Sequence, residues 1–332
     1  MYPLKFQPIY KDYLWGGRNL VQLGKVLPPE GIVAESWEVS GHPEGLSMVT
    51  NGEYAGTNLC DLINQYPQEI LGTAVHLKYG QKFPLLVKLI DANQKLSVQV
   101  HPDDAYALNK ENEFGKHEIW YIISAHPGAR IIYGFAPRIT QEDFARRIEA
   151  ADVESALQYL EVAPGDVIDI PPGVVHALGE GIVLAEIQQN SNATYRVYDY
   201  DRVDATGQKR PLHVEKALQV IDFTPEKRGK VVCGVPEKLS DMSVKTPLTT
   251  NFHFAVDHYQ INDPVSETAA GDRFYIYTVL EGEGSIRWQD TELPVRRGES
   301  VLIPALLGTY QLTGKWQALK SYATAKLKTR GM

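Results

Sequence analysis

Short runs of alternating apolar and polar residues dominate the chain. In KLSVQVHPDD, Leu96, Val98 and Val100 alternate with Ser97, Gln99 and His101, so a strand there puts aliphatic side chains on one face and polar ones on the other. FPLLVKLI, HEIWYIISA, ARIIYGF, DVIDIPP and GIVLAEIQQ read as further strands, followed later by FHFAVDHYQI, RFYIYTVLEGEGSIRW, TELPVRRGESVLIP and GTYQLTG. Short strands at this spacing predict a barrel or sandwich. Helical signals are few. TNLCDLINQYPQEILG carries Leu59, Leu62, Ile63 and Ile70 at roughly helical spacing behind Thr57 as N-cap. Thr140, with Asp143 three residues on, opens a second helical region through TQEDFARRIEAADVESALQYLEV. PDDAYALNK predicts a short third helix with acidic residues in its first turn.

The turns reveal a duplication. GDVIDIP from Gly165 and GESVLIP from Gly298 each run glycine, acid, four mostly apolar residues, proline. The glycine–acid pair suits a tight turn entering a strand that ends at the proline. Two related β-barrels are therefore expected, divided between about Thr224 and Asn251, with residues 1–235 in the first and 236–332 in the second. A chain of 332 residues fits two domains, and 43% hydrophobic with 22% charged residues is ordinary for a soluble globular protein.

Charge and cysteine content exclude several classes. A net charge of −8 opposes a general attraction to nucleic acid or to an anionic membrane. Cys60 and Cys233 lie outside any CxxC pattern, so neither a disulfide scaffold nor a zinc finger is supported. MYPLKFQPIYKDYLWGG lacks the apolar core of a signal peptide, and no stretch reaches membrane-spanning length. The expectation is a reduced, cytoplasmic protein; the pattern fixes no oligomeric state.

Three stretches carry candidate chemistry. Glu118 shares parity with Lys116 and precedes the strand-forming run Ile119 to Ile123. A carboxylate pointing into a small barrel needs a partner or a metal. His176 follows Pro171 and Gly173, which places it on the strand returning from a proline-ended turn. Taken with Gln99 and His101, these residues offer imidazole, carboxylate and amide oxygen, a set suited to Zn²⁺, Fe²⁺ or Mn²⁺. Three or four such ligands leave positions open for water or substrate.

Gln99-x-His101, Glu118 and the Gly165–His176 phrase resemble the split metal motif of the cupin superfamily. More closely, the chain from about residue 10 to past residue 300 resembles the type I mannose-6-phosphate isomerase family in its short bacterial form. The matching stretches are YLWGGRNL, AESWEVSGHPEG, FPLLVKLIDANQKLSVQVHPDDAYA, GKHEIWYII, DVIDIPPGVVHAL and QQNSNATYRVYDYDR, with the degenerate RRGESVLIP near the end. The resemblance implies a mainly β fold of two cupin-type barrels (double-stranded β-helix, or jelly-roll) with a few helices. It implies a zinc-dependent aldose–ketose isomerase that interconverts mannose 6-phosphate and fructose 6-phosphate through a cis-enediol. It places Gln99, His101, Glu118 and His176 as ligands of one Zn²⁺ per chain, with Arg196 as the family's essential arginine. Lys88, Ser97 and Lys116 fall at pocket positions.

Lys88 and Lys116, and after them Arg202 and Arg210, are candidates for the substrate phosphate. Lys116, His117, Glu186 and a metal-bound hydroxide are candidates for the base, with strand parity arguing against His117. Two departures stand out. Only 57 residues separate Glu118 from His176, where longer relatives carry a helical insertion, and Ser191-Asn192-Ala193 replaces their Ser-Asp-Asn. Trp37 and Glu38 are family-typical but equally well explained by packing. After Pro304 the second barrel has no histidine, while His253 and His258 lie upstream of its turn; a structural barrel without metal is expected there. Rival readings are a non-haem iron bicupin oxygenase and a non-catalytic sugar-binding cupin. Arg196 and Lys116 favour a phosphosugar over an oxygenase's apolar substrate, and the presence of every ligand and of the arginine gives a cupin that has lost catalysis little support.

Overall fold

The computed structural model describes residues 1–136, 139–203, 207–224 and 229–325. Its strands form three antiparallel sheets. A seven-stranded sheet runs in the order Val167–Ile170, Glu118–Ala125, Ile182–Gln189, Leu85–Ala92, Glu35–His42, Ile9–Lys11, with Gly45–Leu46 beside Glu35–His42. Facing it, a five-stranded sheet runs Tyr195–Tyr198, Val98–Val100, His176–Leu178, Arg130–Phe135, Leu157–Glu161. A nine-stranded sheet holds the strands from Glu237–Lys238 to Gly308–Ala323, and Leu4–Lys5 joins it by pairing with Ser300–Ile303. The fold is thus mainly β, with cupin-type jelly-roll sheets.

Alternation sorts the side chains into layers. In the Leu85–Ala92 strand, Leu85, Val87 and Leu89 join a cluster with Phe254, Val256, Ile276 and Leu319 of the nine-stranded sheet. Ile90 and Ala92, of opposite parity, pack inside the first barrel with Trp120, Ile122 and Leu184. Ile182–Gln189 repeats the pattern, with Ala185 and Ile187 facing outward and Leu184 inward. The seven-stranded sheet is therefore covered on both faces, and all eight residues of Leu85–Ala92 are buried. A third cluster, with Val98, Val100, Phe144 and Ala217, lies where helices cover the five-stranded sheet. A fourth fills the second barrel around Tyr259, Tyr277, Tyr310 and Trp316.

The helices differ from the sequence expectation in instructive ways. Thr140 caps Gln141–Glu149 as expected, its hydroxyl accepting from the Asp143 amide. Asp103 does the same for Asp104–Lys110. At the first helix the cap is Asn58 rather than Thr57: its side chain accepts from the Asp61 amide. That region also breaks in two, Leu59–Gln65 and Pro67–Leu71, because Pro67 lacks the N–H that would continue the first helix. The stretch ALQYLEV, read as helical, instead includes the strand Leu157–Glu161, which pairs with Arg130–Phe135. Thr73–Tyr79 and Val214–Val220 are further helices with no strong signal in the pattern.

Both glycine–acid turns form. Gly165 has φ +88° and Gly298 +80°, the left-handed region in which only glycine is free of strain. The second turn is also a docking point: Lys25 Nζ donates to the Gly298 carbonyl at 2.8 Å and pairs with Glu38 at 2.6 Å. Glu38 is thus a buried structural ion-pair partner. Helices Pro67–Leu71 and Thr73–Tyr79 add backbone bonds, Thr73 N–H to Gly271 O at 2.9 Å and Ala305 N–H to Ile70 O at 3.1 Å.

Candidate metal centre and its cavity

The two sheets of the first barrel bring the site residues together by register. On the five-stranded sheet, Gln99 is the cross-strand partner of both Arg196 and His176, so the three lie in one row over adjacent strands. On the facing sheet, Glu186 pairs with Lys88 on one side and Trp120 on the other. Glu118 lies two residues before Trp120 on the same inward face.

His101, Glu118 and His176 are all completely buried, and their candidate ligand atoms lie within 4.8 Å of one another. Each imidazole is held by its far nitrogen. His101 Nδ1 meets the Ala193 carbonyl at 3.0 Å and His176 Nδ1 meets the Val174 carbonyl at 2.9 Å. A carbonyl only accepts, so both Nδ1 atoms carry hydrogen and both Nε2 lone pairs face inward. Each Nε2 is 3.4 Å from a Glu118 oxygen. Lys116 Nζ donates to His101 Nε2 at 3.0 Å and to Glu118 Oε2. Glu118 Oε1 is buried without a hydrogen-bond donor.

The electrostatics match a cation site. Burial, then the Lys116 charge, pushes His101 down to about 3, and burial lowers His176 as well, so both rings stay neutral. Burial opposes ionisation of Glu118, but the Lys116 ammonium outweighs it and holds its carboxyl well below the usual range. Two neutral imidazoles and an ionised carboxylate with an orphaned oxygen are the donor set a divalent metal requires, so these residues fit one. Gln99 stands at the edge, its side-chain nitrogen 3.5 Å from His176 Nε2 and its oxygen 3.5 Å from Ser97 Oγ.

Above the triad lies a cavity with about 200 Å³ of water-accessible space. Ser97, Gln99, Lys116 and Arg196 line it, together with Glu35, Lys88, Glu186 and Arg210. Arg196 donates through Nε to Ser97 Oγ at 3.2 Å and through a terminal nitrogen to Pro211 O at 2.8 Å. Lys88 is buried between two carboxylates, 3.3 Å from Glu35 and 3.2 Å from Glu186. Burial works against its charge, yet Glu35 and Glu186 prevail and raise its pKa. Each of these carboxylates also receives an indole N–H, Glu35 from Trp37 at 2.7 Å and Glu186 from Trp120 at 2.8 Å. Burial and the neighbouring Glu118 raise the Glu186 pKa.

Not every candidate is in this cavity. His117 Nε2 is 2.8 Å from Asp169 and its ring packs 5.7 Å from Phe254, on the face turned to the second barrel. Arg202 is held by Asp199, on which Arg210 also makes two bonds at 2.8 and 2.6 Å. His253 packs against His117, and His258 stacks on Tyr121 at 5.7 Å. Glu35 and Trp120 are lining residues that the sequence reading missed. Their signal was parity: Glu35 matches Trp37, and Trp120 matches Glu118.

The comparisons with known proteins agree with this geometry. Residues 3–127 match the model for the phosphomannose isomerase type I catalytic domain, and residues 244–323 match the mannose-6-phosphate isomerase cupin domain. The chain is 37% identical over 321 residues to mannose-6-phosphate isomerase ManA of Bacillus subtilis, covering 96% of this chain and 98% of that one. It is 37% identical over 323 residues to mannose-6-phosphate isomerase of Streptococcus mutans, covering 97% and 98%. The crystal structure of the Bacillus subtilis mannose 6-phosphate isomerase superposes with a TM-score of 0.88 at 34% identity, over 97% of this chain and 99% of that one. With near-full-length relatives on one side and a buried metal-ligand cluster under a charged cavity on the other, the chain belongs to the type I mannose-6-phosphate isomerase family.

Proposed function

We propose that this protein interconverts mannose 6-phosphate and fructose 6-phosphate, with one Zn²⁺ per chain held by His101, Glu118 and His176 and with Gln99 as a fourth, weaker ligand. The observation that carries the reading is the convergence of two Nδ1-locked imidazoles and a buried carboxylate beneath a cavity lined by Arg196. Such a metal, when bound, supplies Lewis acidity toward the sugar oxygens at C1 and C2.

The chain's own residues supply the rest. Arg196, fixed by Ser97 and Pro211, offers permanent positive charge where the enediolate oxygen develops. The proton passing between C1 and C2 needs a carrier at the cavity wall. Glu186 lines the cavity, and burial beside Glu118 raises its pKa, which makes its carboxylate a stronger base than a solvent-exposed one. Lys116 binds Glu118 and sets the charge at the cavity floor. Lys88, buried between Glu35 and Glu186, is better placed to orient those carboxylates than to meet a phosphate. The phosphate falls instead to the rim, where Arg196, Arg202 and Arg210 surround the single carboxylate of Asp199. That local excess of positive charge belongs to a protein of net charge −8.

We assign the catalytic role to residues 1–235 and a metal-free role to 236–332. A phosphosugar substrate and two free cysteines support a cytoplasmic location, without nucleic-acid or membrane partners. The deciding experiment is a coupled isomerase assay with and without chelator. Activity should vanish with metal removal and return with zinc. Stoichiometric iron with oxygen consumption, or full activity after exhaustive chelation, would overturn the reading.

A further inference from the structure

The two glycine–acid–proline phrases allow the barrels to be aligned with no adjustable register. Setting Pro171 on Pro304 sets Ile168 and Ile170 on Val301 and Ile303. In the first barrel Ile170 pairs with Glu118 and Ile168 with Trp120. In the second, Ile303 pairs with Tyr275 and Val301 with Tyr277. One strand further, Trp120 pairs with Glu186 and Tyr277 with Lys320. Beyond that, Glu186 pairs with Lys88 and Lys320 with Asp257. The row Lys88–Glu186–Trp120 is thus answered by Asp257–Lys320–Tyr277, with both charges reversed.

The opposite wall corresponds as well. His176 pairs with Gln99 and packs its ring 5.5 Å from Trp120, while Tyr310 pairs with Glu267 and bonds Tyr277 OH at 3.0 Å. This wall is matched by strand pairing, with one extra residue after Pro304 relative to Pro171: Glu267 stands for Gln99, Tyr310 for His176, and Ala269, two residues past Glu267, for His101. In place of two imidazoles and a carboxylate, the second barrel offers a methyl group and two phenols. The carboxylate at the Gln99 position, Glu267, already has a cation. Lys320 Nζ is 2.8 Å from Glu267 Oε2 and 3.2 Å from Tyr259 OH, which itself donates to Glu267 Oε1 at 2.8 Å. The ammonium lies 4.2 Å from the centre of the Tyr275 ring, and Lys320 is only 5% exposed.

We propose that the C-terminal barrel is a copy of the catalytic one in which the Lys320 ammonium serves as the interior cation, so that the chain holds metal in one barrel and a covalently attached charge in the other. The inference rests on the metal reading of His101, Glu118 and His176 for its stoichiometry, and on the register alone for the role of Lys320.

A double-mutant cycle on the full chain tests it. Lys320→Met and Glu267→Leu should each lower Tm by about 5 °C or more, since each removes one member of a largely buried ion pair. The double variant should recover most of the loss, with isomerase activity and bound metal unchanged throughout. Additive losses in the double variant would overturn the proposal, as would a Lys320→Met protein as stable as wild type. Metal analysis separates the two readings. His101→Ala/His176→Ala protein should retain no metal. If it retains metal that Glu267→Leu then removes, the second barrel is a metal site and the proposal fails. If it retains metal that Glu267→Leu leaves in place, the ligand assignment in the first barrel fails instead, and with it the one-metal count.

Discussion

His176 illustrates how much one residue owes to its neighbours. Its ring is useful only because the Val174 carbonyl takes the Nδ1 hydrogen and turns Nε2 toward Glu118. His176→Ala should abolish both bound metal and activity, measured by metal analysis and the coupled assay. Arg196→Ala removes charge without touching the triad; we expect metal retained and kcat reduced about 10²–10³-fold. Asp199 gives a pH test. Burial alone would raise its pKa, but the Arg210 and Arg202 guanidiniums prevail and the net shift is downward. A carboxyl whose folded value lies below its unfolded value of about 3.9 adds stability above that pH. The contribution is lost as pH falls through the folded value. The Tm gap between wild type and Asp199→Asn should therefore be open at pH 7 and close below about pH 4; a constant gap would contradict the assignment. The triad was legible in the sequence because alternation and one turn phrase place its members. The pairing of Lys88 with Glu35 and Glu186 was not, since those partners lie 53 and 98 positions away from it and meet only through sheet register.

Among elements, the glycine–acid turns were read correctly as a repeated unit, yet their settings differ. A Cβ at Gly165 meets nothing within 4 Å, whereas one at Gly298 would lie 2.0 Å from the Leu23 carbonyl oxygen. Gly165→Ala should cost only the left-handed strain, about 1–2 kcal/mol. Gly298→Ala should cost clearly more and loosen the Lys25 docking point. Urea midpoints of the two variants give the comparison, and equal shifts would refute it. Helices were less legible than strands. Val214–Val220 has no side-chain cap and one fully buried residue, Ala217, so its tertiary packing carries more of its stability than any local signal. ALQYLEV looked helical because its apolar spacing suits either period. Leu157 is buried in the cluster over the five-stranded sheet, and pairing with Arg130–Phe135 decides in favour of strand.

For the molecule as a whole, metal binding and folding should be linked. Ligands drawn from two strands of facing sheets and from the residue just past a third come together only in the folded chain, so a chelator should lower Tm. At metal concentrations a hundredfold above Kd, the stabilisation is about 2.7 kcal/mol. A scan with and without chelator measures it; identical curves would mean that the cluster is held without metal. Two barrels were readable from the repeated turn. Their mutual packing was not, because the shared apolar layer draws on the outer faces of both sheets and no local pattern marks it.

That layer decides where the chain can change length. In Leu85–Ala92 and Ile182–Gln189, side chains alternate between the cavity side, with Lys88, Ile90, Leu184 and Glu186, and the seam with the second barrel, with Leu85, Val87, Leu89, Ala185 and Ile187. Removing or adding one residue would exchange the two sets, sending Lys88 or Glu186 into the seam and leucine or isoleucine into the cavity. Such strands tolerate substitution far better than insertion or deletion. Length variation is therefore expected in the connections, and a one-residue deletion inside either strand should cost far more stability than one in a neighbouring loop.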